Sequence, residues 1–247
     1  MFKERMGHTV GYVGVDLESR DSVIRREETN FGNMITDLMR TEYDADFGFC
    51  ISGAFRKNAV IPEGPISLME IQASFPFNDA TMVLEMPGHI VKEALEWAVS
   101  AYPSEEGRSP QVSGLQFWFD PEKPVGRRIC ETEIITKGQG NFDLNKSYRV
   151  AMPKFMAMGG DGYSMFIGEE VETIVDEENG LGIIDIVKQF FKRTRTDYQV
   201  IAKRELTRQM RLRVFHVDVE DEIDGVSPDG LYFKLYPQVE GRILVKG

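Results

Sequence analysis

The order of apolar patterns in this 247-residue sequence predicts an α+β or mixed α/β domain. Three observations carry that reading. Apolar residues recur at helical spacing in three separate stretches, and short segments with period-two alternation lie among them. The two kinds neither alternate as regular βα units nor give way to strands throughout. With 42% hydrophobic and 28% charged residues, the chain has the balance of a globular protein that builds a core.

Taken in order, Thr9 to Leu17 alternates loosely enough for a strand. The spacing of Phe31, Met34, Ile35, Leu38 and Met39 predicts a helix over 28–42, with Thr29 or Asn30 as its N-cap. Ala45 to Ile51 reads as a buried strand that ends in a turn at Ser52-Gly53-Ala54. Ser67-Leu68-Met69-Glu70 has the form of a capping box, which starts a short helix through Ala73 before the break at Pro76. Met82, Leu84 and Met86 alternate as a strand, and Ile90, Val91, Ala94, Leu95, Ala98 and Val99 form the stripe of a helix over 89–101. Pro103 and Gly107 close that helix. Strands are expected at 114–120, 128–136 and 147–152, then a loop at 158–162, a helix around Ile183, Ile186, Val187 and Phe190, and a strand over 212–219.

Charge and composition exclude several function classes. Forty acidic against 29 basic residues give a net charge of −11, a field that repels nucleic acid, so no nucleic-acid partner is expected. The basic run from Lys192 to Arg213 is followed by acidic residues from Asp218 to Asp224, a pattern that reads as a solvated surface. No segment approaches the roughly 20 apolar residues of a membrane span, and the first residues lack the apolar core of a signal peptide. Cys50 and Cys130 are too few for a disulfide framework. His8, His89 and His216 are scattered and belong to no metal-ligand motif, so no metal or other cofactor is expected on this chain. Walker, dinucleotide and nucleophile-elbow motifs do not occur, and no catalytic residue is assigned.

The remaining features suit the holding of a nucleotide. Arg25, Arg26 and Arg56 lie beside turns, where a guanidinium grips phosphate oxygens in bidentate fashion, although each alone also reads as a surface arginine. Phe77 follows Pro76 in a rigid loop, and Phe155 precedes Gly159-Gly160-Asp161-Gly162-Tyr163. Two aromatics on separate loops would sandwich a base, each stack being worth ~1–3 kcal/mol; composition alone favours the core for both. The glycines around Asp161 permit close backbone approach to a ligand, or simply make a turn.

Together these strings resemble the C-terminal domain of the 5'-nucleotidase family. The resemblance covers R-R-E-E-T-N-F-G-N at 25–33, Ser52 to Arg56, Gly64-Pro65-Ile66-Ser67, Phe75-Pro76-Phe77-Asn78, Gln111-Val112-Ser113-Gly114, Tyr148 to Ala151, Gly159 to Tyr163, and Glu240-Gly241-Arg242-Ile243. It implies a four-layer α/β/β/α sandwich with mixed sheets, spanning 1–247 as a single nucleotide-binding domain. By the same resemblance Phe77 and Phe155 clamp the base, Asp161 holds the ribose, and Arg25 and Arg56 bind phosphate. Asn30, Gly114 and Gly159 line the same pocket. Two departures stand out: the turn before Arg56 reads S-G-A-F-R, one residue shorter than S/N-G-G-G-I-R, and the chain is longer than expected between about 192 and 235.

The resemblance further implies a parent enzyme that hydrolyses nucleoside 5'-monophosphates. Its catalysis would reside in an N-terminal metallophosphoesterase domain with two divalent metal ions, whose D-x-H and G-N-H-E motifs do not occur in this sequence. That domain and a nucleoside or nucleotide are the expected partners. By the same resemblance, such parents are mostly periplasmic, secreted or surface-anchored, and the chain itself assigns no location. The alternative is a stand-alone, non-catalytic nucleotide-binding module.

Overall fold

The structure, a computed structural model, describes residues 8–137, 141–193 and 234–246. The strand expected at 212–219, and nearly all of the charged segment that follows Lys192, lie outside the described residues. The elements run β1 (Thr9–Val13), α1 (Asp21–Ile24), α2 (Asn30–Glu42), β2 (Phe47–Ile51), a 3-10 turn (Ser52–Ala54), β3 (Gly64–Ser67), α3 (Leu68–Ser74), β4 (Thr81–Pro87) and α4 (Gly88–Ala98). They continue with β5 (Pro110–Ser113), β6 (Leu115–Phe119), β7 (Ile134–Thr136), β8 (Ser147–Pro153), α5 (Lys154–Ala157), β9 (Glu172–Val175), α6 (Ile183–Arg193), β10 (Lys234–Leu235) and β11 (Ile243–Val245).

Alternation decides how the central sheet is packed. Its strand order is β5-β2-β8-β4-β9, with β2 and β8 parallel and the other neighbours antiparallel. Large residues point to one face: Phe47, Phe49 and Ile51 of β2, Met82, Leu84 and Met86 of β4, and Tyr148, Val150 and Met152 of β8. They pack with the α4 stripe and with Leu115, Phe117 and Phe119 of β6. The opposite face carries smaller residues, Cys50, Val83 and Ala151, beneath Phe31, Met34, Ile35 and Leu38 of α2 and the apolar side of α6. Gly48 is required there, because a Cβ on it would lie 2.3 Å from the Thr36 carbonyl oxygen of α2.

Two smaller sheets flank this core, in the orders β10-β1-β3 and β11-β6-β7, and both are mixed. The chain is therefore an α+β fold of mixed sheets with helices packed against them, as the sequence predicts. Helix starts also follow the reading: Thr29 is the N-cap of α2, accepting from Gly32 N at 3.0 Å. Ser67 and Glu70 form the reciprocal capping box of α3.

The strand expected over 128–136 is the main difference, since only Ile134–Thr136 pairs with β6. The backbone amides of Arg128 and Ile129 donate instead to the buried Glu96 carboxylate at 2.9 and 2.8 Å. A side chain on α4 thus takes hydrogen bonds that a strand ladder would have used. The strand expected from Thr9 to Leu17 likewise ends at Val13, and Leu17 makes only an isolated bridge to Ile61.

Candidate functional site

The C-terminal end of β2 leads into the Ser52–Ala54 turn, and the candidate residues gather around it. Gly53 N donates to the Gly107 carbonyl at 2.8 Å, and Ser52 N donates to the Ser109 carbonyl at 2.8 Å. The 104–109 segment after α4 is thereby fastened against the turn. Its Gly107 also abuts Asp161: a Cβ at Gly107 would sit 3.5 Å from both Asp161 Oδ2 and the Gly53 Cα. Three segments remote in sequence thus meet at Gly53, Gly107 and Asp161.

Asp161 occupies the left-handed region with φ 51° and ψ 25°, between Gly159 at φ 83° and Gly162 at φ 85°. A non-glycine residue there carries backbone strain and must be held by its surroundings. Trp97 of α4 supplies part of the hold, donating from Nε1 to the Asp161 carbonyl at 2.9 Å. Tyr163 supplies more, its hydroxyl donating to the Arg108 carbonyl at 2.7 Å. Burial first, and the Asp161 charge after it, push the Tyr163 phenol well above its ordinary range, so it remains a donor.

Phe77 is 76% exposed and Phe155 50% exposed, whereas most of the large apolar side chains are buried. Composition alone would have put both in the core, and the structure puts both at the surface. Their loops are joined, because the Asp79 carboxylate two residues after Phe77 accepts from Phe155 N at 2.6 Å. Asn78 pins the first loop from its other side through a bond from Ile184 N to its Oδ1 at 3.1 Å. The Phe155 ring lies over Gly160, where a Cβ would come within 2.5 Å of it. Arg56 reaches toward the first ring, with its guanidinium carbon 6.0 Å from the Phe77 centroid, and its Nη1 donates to the Gly53 carbonyl at 3.3 Å.

Of the other expected residues, Arg25 borders this group through the 104–109 segment, while Asn30 and Gly114 are held elsewhere. Arg25 ends α1 and is held by Asp21 at 3.1 Å and by the Glu105 carbonyl at 3.3 Å, which links it to the 104–109 segment. Its Nε is buried and has no hydrogen-bond partner among the described residues. Asn30 uses its amide on the 16–18 loop, donating to the Asp16 carbonyl at 2.7 Å and accepting from Glu18 N at 3.0 Å. Gly114 follows β5 at the end of the sheet opposite the Ser52–Ala54 turn, against the Asp46 carbonyl. The sequence reading missed Trp97, Gly107 and Arg108. Trp97 falls outside the apolar stripe of α4, and the bond that reveals it spans 64 residues.

No group of three or more His, Cys, Asp or Glu side chains among the described residues is placed to hold a metal ion. The described residues do not fit a dimetal centre. No helix among the described residues is long and apolar enough to cross a membrane.

The sequence signature of the 5'-nucleotidase C-terminal domain matches residues 6–168. The chain is 34% identical over 180 residues to a trifunctional nucleotide phosphoesterase of Bacillus subtilis, covering 71% of this chain and 12% of that protein. It is 28% identical over 221 residues to a 5'-nucleotidase of Diplobatis ommata, covering 83% of this chain and 37% of that protein. The crystal structure of a 5'-nucleotidase precursor from Thermus thermophilus superposes with a TM-score of 0.75 at 26% identity, over 99% of this chain and 40% of that one. The chain thus spans well under half the length of these relatives, and it belongs to the 5'-nucleotidase C-terminal domain family.

Proposed function

We propose that this domain binds the nucleoside part of a nucleotide and presents its 5'-phosphate to a catalytic domain of a parent 5'-nucleotidase. Phe77 and Phe155 sandwich the base, Asp161 accepts hydrogen bonds from the ribose hydroxyls, and Arg56 and Arg25 attract the phosphate. The observation that carries this reading is the pair of exposed phenylalanines on loops tied together by Asp79. Exposed aromatics held on fixed loops offer stacking area with little ordering cost. The share of the relatives' length left uncovered leaves room for a metallophosphoesterase domain with two divalent ions.

In this arrangement the domain's own groups bind and orient. The aromatic pair fixes the base plane, the carboxylate fixes the sugar about that plane, and the guanidinium of Arg56 fixes the direction in which phosphate leaves the pocket. Asn30 and Gly114 then act through the scaffold, the first by securing the 16–18 loop and the second by allowing a tight turn at φ 80°.

The test compares AMP with adenosine on the purified domain in chelator. The wild type is expected to favour AMP, and Arg56→Met to lose most of that preference while keeping adenosine affinity within about threefold. A charged hydrogen bond is worth about 1.5–3 kcal/mol, or roughly 10- to 100-fold. An unchanged AMP preference in Arg56→Met would remove Arg56 from the phosphate site. A D-x-H and G-N-H-E stretch in the coding sequence upstream of Met1 would favour the enzyme domain over a stand-alone binding module.

A further inference from the structure

We infer that Trp97 is a positioning residue that makes the pocket selective for an intact ribose diol. The inference rests on the reading of Asp161 as the ribose acceptor. Asp161 sits in a strained left-handed conformation within a string of glycines, so its own sequence neighbours do little to aim its carboxylate. The aim is set from outside the loop, and Trp97 makes the most direct contact.

The indole Nε1–H donates to the Asp161 carbonyl at 2.9 Å, on the same residue whose side chain would meet the sugar. The next residue, Gly162, presses its backbone onto the indole, where a Cβ would come within 2.5 Å of Cζ2. The indole is itself braced by Arg108, whose guanidinium carbon lies 4.4 Å from the ring centroid. Arg108 is in turn joined to the loop through its carbonyl, which accepts from the Tyr163 hydroxyl. Trp97 therefore fixes the position of the Asp161 carbonyl and so the peptide plane that follows it. Without the indole N–H, the strained backbone has a reason to relax, and the carboxylate loses its alignment to two hydroxyls while the aromatic clamp stays intact.

This separation of sugar from base gives the test. Affinities for adenosine and 2',3'-dideoxyadenosine are measured calorimetrically for the wild type, Trp97→Phe and Asp161→Ala. The wild type is expected to prefer adenosine by roughly 10- to 100-fold, the range for hydrogen bonds to a charged group. Both variants should bring that preference to within about threefold of unity, with dideoxyadenosine bound as in the wild type. A structural defect would weaken both ligands in parallel, and that outcome would overturn the inference, as would a preference left unchanged by Trp97→Phe. If Asp161→Ala also leaves the preference unchanged, the assignment of Asp161 itself has failed, whereas loss with Asp161→Ala alone refutes only Trp97. Should Trp97→Phe not fold, a benzothiophene analogue of tryptophan at position 97 removes the N–H and preserves the ring shape, with the same outcomes deciding.

Discussion

Removing the carboxylate of Asp37 should unfold this domain at a markedly lower temperature. Asp37 and Arg242 are each only 3% exposed and meet in a bidentate pair, Nη1 to Oδ1 at 2.9 Å and Nη2 to Oδ2 at 2.7 Å. Arg242 also donates to the Val112 carbonyl at 2.9 Å, and Ser113 Oγ donates to Asp37. Beside them the Glu28 carboxylate accepts from the amides of Glu240 and Arg242 at 2.7 and 2.5 Å. The pair and Glu28 together fix the segment that enters β11 against α2 and β5. Asp37→Ala removes the bidentate partner of a buried guanidinium and leaves it only the Glu240 carboxylate, 3.2 Å from Nε, at a cost of about 3–5 kcal/mol. For a domain of this size that lowers Tm by roughly 6–20 °C. Replacing both partners by apolar residues, Asp37→Leu with Arg242→Met, removes the stranded charge and should recover most of the loss. Thermal unfolding of the two single variants and the double variant gives the coupling. A loss below about 1 kcal/mol in Asp37→Ala, or a double variant as unstable as the sum of the singles, would refute the reasoning.

Two further outcomes are expected. Burial raises the Glu240 carboxyl, but Arg242 and Lys137 outweigh it and hold it below its ordinary value, so its contribution to stability is present above the unfolded pKa and is lost as pH falls through the folded one. Glu240→Gln should therefore flatten the stability profile on the acid side of about pH 5, as read by denaturant titration at several pH values, and an unaltered profile would exclude this group. Thr29→Ala removes the N-cap of α2 and should cost about 1 kcal/mol by chemical denaturation, while Thr29→Ser should cost far less.

What the sequence made legible follows from local physics. The stripe from Phe31 to Met39 can be buried only as a helix, and Ser67 with Glu70 marks a helix start that needs no distant partner. The capping residues of α2 and α3 and the apolar faces of α2 and α4 were accordingly readable. Strands β9 and β11 were not. Glu172–Val175 is largely exposed and Ile243–Val245 is short, so neither shows an alternating buried face. The segment at 128–130 misled because Glu96, more than thirty residues away, takes its amides.

The candidate site divides in the same way. Phe77, Phe155, Asp161 and Arg56 could be named from the family strings, but their exposure depends on how the loops are held. Asp79 and Asn78 set one loop, and Trp97 and Tyr163 set the other, all through contacts between remote segments. The turn at Ser52–Ala54, one residue shorter than the family string, still brings Gly53 against Gly107 and Asp161. Gly114, which the family resemblance assigns to the pocket, follows β5 at the end of the sheet away from the Ser52–Ala54 turn, because β5 pairs antiparallel with β2.

The claim on which all of this turns is that the domain holds a nucleoside by itself, between Phe77 and Phe155. Calorimetric titration with adenosine, in chelator, tests it most directly when the wild type is set beside Phe77→Ala and Phe155→Ala. The account predicts saturable binding with one site, weakened by ~1–3 kcal/mol in each variant. Absence of saturable binding to the wild type, or equal affinity in all three proteins, would contradict it.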